Sequence, residues 1–241
     1  MPTFTSPEEN MKKTAKSKKS KEIPGKPTHK KTDPGLHLWA AHGAEDVYFQ
    51  REAQVNFWTV LGGLAMAALL TQLPSLLKEL LASRWYLLLF LVTSILILAN
   101  SWVQTSWGSL VLKWPISIAT TIIMLLQMLF HSIQCLLITN PSGWLAATAG
   151  LIFFSLANQF YFEKSGAWKV FPPAFIKRFK FDNLVYSFFI LISLAGAYEL
   201  YRYPSRIAEM VWGFVVFFFS ILALYMQYKG MQQEKQELGI P

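Results

Sequence analysis

The chain has 241 residues, of which 53% are hydrophobic and only 15% charged, with a formal net charge of +8. Soluble domains carry about 25% charged residues, and a single soluble core stops growing at roughly 250–300 residues, so this composition excludes an ordinary water-soluble globular domain. The lone cysteine, Cys135, excludes an intramolecular disulfide and a cysteine-built metal cage.

Nine of the seventeen lysines lie between Lys12 and Lys31, among Ser, Thr and Pro. Such a segment cannot bury enough apolar surface to offset chain entropy, so residues 1–33 are expected to form a disordered, Lys-rich cytoplasmic tail. Residues 34–56 read as an interfacial, juxtamembrane helical segment, opened by Asp33-Pro34, interrupted by Gly43 and holding Trp39 at headgroup depth.

Six apolar stretches of membrane-crossing length follow, at about 57–77, 85–103, 115–138, 144–162, 184–201 and 207–228. Pro74 is expected to kink the end of the first, and Asn140-Pro141-Ser142-Gly143 to turn the third into the fourth. Between Trp85 and Phe162 the single charged residue is Lys113. Residues 163–182 read as a basic, aromatic cytoplasmic loop in which Lys164, Trp168, Lys169, Lys177, Arg178 and Lys180 rest on lipid or a partner. Residues 229–241 complete the chain as a short cytoplasmic tail. The fold class is all-α: a polytopic membrane protein with about six transmembrane helices in a bundle.

Orientation follows from the basic residues. With both termini cytoplasmic, the inner segments hold eighteen Lys and Arg and the outer turns four, Lys78, Arg84, Arg202 and Arg206. On those outer helix ends Glu199 with Arg202, and Arg206 with Glu209, are spaced as surface ion pairs.

A polar side chain at membrane depth is costly and marks a functional candidate. On the third span Thr120, Gln127, His131 and Gln134 share one helical face, and His131 alone among span residues could change charge near neutral pH. Asn100 and Gln104 on the second span, with Asn158 on the fourth, could line a vestibule whose amide oxygens replace part of an ion's hydration shell. The same amides could equally hold helices together or face headgroup water. Small residues four apart, Gly63 with Ala67, Ala146 with Gly150 and Ser193 with Ala197, allow close helix approach or an oligomer contact. Gly62 widens the first of these faces, making the first span a candidate for the bundle centre.

No span carries an acidic residue near its middle, and no histidine pair has metal-ligand spacing, so neither a metal nor a cofactor is expected. The functional reading is a non-enzymatic pore or transporter subunit for an ion or small solute. The alternatives are a scaffold within a larger membrane complex and, third, a lipid-modifying enzyme. Expected partners are the bilayer, anionic headgroups at the Lys-rich tail and the 163–182 loop, and a homo-oligomer or larger complex; the absence of Arg before Arg51 disfavours nucleic acid. A plasma membrane or bacterial inner membrane is the expected location.

Overall fold

The computed structural model describes residues 44–111, 117–164 and 173–239, and all its regular structure is helical. Helix α1 spans Ala44–Thr71, α2 Leu73–Leu81, α3 Leu87–Ser106, α4 Ile118–Leu136, α5 Pro141–Lys164, α6 Pro173–Arg202 and α7 Arg206–Glu237. A π-helical turn, Trp107–Val111, extends α3. Among the described residues six helices are long and apolar enough to cross a membrane: α1 and α3 to α7. Their outer surfaces carry large apolar side chains with no protein cover, such as Leu184, Leu191 and Phe218, each more than 60% exposed. Water would not tolerate that surface, whereas hydrocarbon matches it.

The helix ends follow local chemistry. Pro74 sits at the start of α2 and breaks the first apolar stretch at Gln72, as its missing N–H requires. Helix α2 ends in a Schellman turn: Arg84 N–H donates to the Glu79 carbonyl and Ser83 N–H to that of Leu80, with Ser83 at φ +69°. Ser117 caps α4, its hydroxyl accepting from Thr120 N–H while the Thr120 hydroxyl accepts from Ser117 N–H. The Asn140 carboxamide accepts from Gly143 N–H, and Pro141 opens α5, so the expected tight turn is present.

Three boundaries differ from those expected. Residues 44–56 do not form a separate helix but run unbroken into the first span, because no Pro or Gly interrupts that part of α1. Residues 173–182 belong to α6 rather than to a loop, since Pro173 is preorganised for a first helical turn and Phe175 and Phe179 bury one turn apart. Helix α7 continues to Glu237 through residues assigned to a tail, because its one glycine there, Gly230, is tolerated within a run of good helix formers. The tail at 1–33, the opening of the juxtamembrane segment, Trp168 and Lys169 lie outside the described residues.

The helices pack as a ring in the order α1, α4, α5, α6, α7, α3, and α3 also touches α4. That cross-contact closes a smaller ring of five helices and leaves α1 on its outside, held by Trp58 against Met124 and Met128 of α4 and Leu98 of α3. The first span is therefore peripheral rather than central. Gly63 has nothing within 4 Å of where a Cβ would stand, and both it and Ala67 are exposed.

The glycines inside the ring are different. A Cβ on Gly150 would lie 2.3 Å from the Phe130 ring, and one on Gly196 would lie 2.7 Å from the Trp212 indole. Each allows an aromatic ring to lie directly on a backbone. Ser193 and Ala197 are buried on the same face as Gly196, whereas Ala146 is exposed.

The main core fills one end of the five-helix ring. Trp144, fully buried, packs edge-on to Phe90 at 5.0 Å and donates its indole N–H to Ser94 Oγ at 2.9 Å. Leu87, Leu145, Ile138, Leu200 and Val216 surround that pair.

Gly196→Ala is expected to lower stability by about 1–3 kcal/mol through overpacking against Trp212. Gly63→Ala, with open space around it, should leave stability unchanged or raise it by up to about 1 kcal/mol. Thermal unfolding of the purified protein in detergent, read by size-exclusion retention, separates the two. By the same assay Ser83→Gly should be stabilising by about 1 kcal/mol, because only glycine enters the left-handed region without a Cβ penalty.

Candidate functional site

Below the apolar core, the five-helix ring lines a partly open cavity of about 80 Å3. Helix α3 contributes Asn100, Ser101 and Gln104, three polar residues presenting one face over about a single turn. Gln127 comes from α4, Ser155 from α5, Tyr186 from α6, and Ser220 and Gln227 from α7. Leu151, Ile152, Phe189 and Phe219 are among its apolar lining residues. No charged side chain is among the lining residues. The space holds several waters or one small solute, since a single water needs only about 10–15 Å3 of this measure.

Tyr186 joins three helices across this cavity. Its phenolic oxygen accepts from Gln104 Nε2 at 3.3 Å and from Gln227 Nε2 at 3.1 Å. The carboxamide oxygen of Gln227 is buried without a partner among the described residues. The wall thus offers carbonyl acceptors, amide donors and hydroxyls that serve as either.

The expected polar residues separate into groups. Asn100, Gln104 and Gln127 converge on the cavity from two helices. Thr120 is occupied in the cap of α4. Gln134 donates to Thr148 Oγ1 at 2.7 Å, tying α4 to α5, and His131, one turn earlier, is 1% exposed. Neither His131 nor Gln134 is among the cavity-lining residues, and nor is Asn158, whose Oδ1 is buried without a partner among the described residues. The face on α4 diverges because its four residues span more than three turns, and the cavity occupies only part of that height.

At the far side of the cavity from the core lies a buried ion pair that the sequence reading did not find. Arg178 Nε of α6 stands 2.9 Å from Glu234 Oε1 of α7, and Glu234 is completely buried. Trp107, in the π-helical turn, donates its indole N–H to Glu234 Oε2 at 2.9 Å. Arg178 reaches Glu234 by lying across Gly230, where a Cβ would stand 2.2 Å from Arg178 Cδ. Its guanidinium also faces the Phe175 ring at 5.7 Å. Phe162, Phe175 and Phe179 form the surrounding apolar cluster, with Trp107 packed against it. The available signal was the spacing of Gly230 and Glu234, one turn apart, but it becomes legible only once both helices are seen to extend beyond the apolar stretches.

A second polar network closes the opposite end. Arg84, aimed by the Schellman turn, donates to Glu79 at 2.9 Å and to Glu209 of α7 at 2.7 Å, and its Nε donates to the Tyr86 hydroxyl at 3.0 Å. Tyr86 in turn donates to Glu209. Burial disfavours the Arg84 cation, but its hydrogen bonds to Tyr86, Glu209 and Glu79 outweigh this and hold it above its ordinary pKa. Burial first, and then the Glu209 carboxylate, push the Tyr86 phenol upward as well. Glu209 therefore pairs with Arg84 and not with Arg206, and Glu199 accepts from the Trp212 indole at 3.0 Å. The expected local ion pairs are replaced by contacts between helices.

Removing one member of a buried ion pair leaves the other uncompensated, a loss of about 3–5 kcal/mol, while replacing both with apolar residues is often close to neutral. Arg178→Met and Glu234→Leu should each lower the unfolding temperature strongly, and the double variant should recover much of the loss. A thermal-unfolding double-mutant cycle checks this, and strictly additive losses would rule out direct coupling. No protein-family model, no curated protein and no solved structure matches the chain.

Proposed function

We propose that this protein is a carrier or pore subunit of a membrane, and that its five-helix cavity holds a small, uncharged polar solute. The six long apolar helices are compatible with an integral membrane protein. The observation that carries the finer reading is the cavity wall: side chains from five helices turn eight hydrogen-bonding groups inward and no charge. An uncharged wall gives an ion little compensation for its lost hydration, whereas mixed donors and acceptors suit a neutral solute with both. The packed core around Trp144 closes the ring at one end, so passage requires α3 to α7 to separate there.

The same reading places the Glu234 end of the bundle in the cytoplasm, because the excess of Lys and Arg lies in the segments on that side. The Lys-rich tail and the basic residues Lys164, Lys177 and Lys180 would then meet anionic headgroups, at about 1 kcal/mol per basic residue near the surface.

Stopped-flow swelling of liposomes in urea or glycerol gradients tests the function. The protein should raise solute permeability over empty vesicles, and Ser220→Leu or Gln127→Leu should reduce the increment at least tenfold. His131→Leu, off the cavity wall, should leave it within twofold. Vesicles as tight as protein-free controls would overturn the reading.

A further inference from the structure

We propose that the membrane-facing groove between α6 and α7 is a binding site for a single-chain amphiphile with a protonated amine head. It goes beyond the solute reading and does not require transport. The groove encloses about 330 Å3 and is walled by Leu184 and Phe188 of α6 with Leu222 and Met226 of α7. Leu184, Phe188 and Leu222 are each more than half exposed, so the groove opens on the surface that lipid chains would contact.

One end of this apolar groove is chemically distinct. Asp182 is its single acidic lining residue, and Tyr186 and Gln227 line the groove with it. Among the described residues Asp182 has no ion-pair partner, and Arg178, one turn before it on α6, stands 2.9 Å from Glu234 instead. Gln227 is 4% exposed, donates one N–H to Tyr186 and leaves its carbonyl oxygen buried without a donor among the described residues.

A protonated amine supplies what this end lacks. It brings one positive charge for Asp182 and N–H donors for the Gln227 carbonyl, while its hydrocarbon chain fills the apolar length of the groove. A phosphate-bearing head would place like charge beside Asp182, which disfavours it. Tyr186, Ala223 and Gln227 line both this groove and the polar cavity, so the amine would sit at the thin wall between membrane and cavity.

The test uses the full-length protein in detergent micelles, photolabelled with a diazirine-bearing hexadecylamine or the matching hexadecanol, with labelled peptides located by mass spectrometry. The amine probe is expected to label residues 181–188 and 219–227 at least fivefold more than the alcohol. Asp182→Asn should bring the amine down to the alcohol's level, and Leu222→Trp should reduce both by narrowing the groove. Unfolding temperature, measured alongside, identifies any variant that fails to fold. Labelling spread evenly over the exposed helix surfaces would overturn the site. An unchanged amine-to-alcohol ratio in folded Asp182→Asn would overturn the amine head, and undiminished labelling of folded Leu222→Trp would overturn the groove. Solute swelling plays no part in the readout, so loss of the carrier reading and loss of this site are separate results.

Discussion

Polar side chains are scarce in the apolar spans, and the structure turns several of them toward one another. In an aqueous protein the hydrophobic effect drives apolar groups inward; among helices clad in Leu, Phe and Val, desolvation of the polar group becomes the larger penalty. The helix order follows this constraint. Asn100, Gln104, Gln127, Tyr186 and Gln227 lie on four helices, and the closed ring of α3 to α7 is the arrangement that lets them meet around one space. Helix α1 adds no residue to that wall and stays outside the ring.

The two ends of the bundle are closed by different physics. At one, Trp144 and Phe90 lead a dense apolar core, and above it Arg84 gathers Glu79, Tyr86 and Glu209 in a partly exposed network. At the other, a completely buried carboxylate is held by one guanidinium and one indole beneath a smaller aromatic cluster. The first end is held mainly by dispersion and area, which act broadly over many contacts. The second depends on a few strong, directional groups, so it can change state when one partner moves. Packing of α6 against α7 around Gly230 sets the geometry of that second end.

Close approach, more than glycine content, distinguishes the glycines on which other helices pack. Gly150, Gly196 and Gly230 each lie under a side chain that a methyl group would displace. Gly63 belongs to a small-residue pattern of the same spacing and meets nothing within 4 Å. Spacing alone reports that a backbone could be approached; the neighbour that approaches comes from another helix.

The sequence by itself determined the class of this protein, its six long apolar helices, and several of their ends. Those features rest on local chemistry: runs of apolar residues, the Pro74 break, the Asn140-Pro141 turn, the lysine asymmetry. It also placed Asn100, Gln104 and Gln127 among the polar candidates, because an amide in an apolar run stands out without knowledge of its neighbours. Only the tertiary structure decided that these three share a cavity while His131, Gln134 and Thr120 do not, since residues on one helical face diverge when the partner helices end or turn away. The same holds for Glu209, which local spacing paired with Arg206 and which instead meets Arg84 from the start of another helix. Glu234 and Arg178 were hidden for a related reason. Charge at the edge of an apolar run reads as solvated, and what buries it is a second helix that extends equally far.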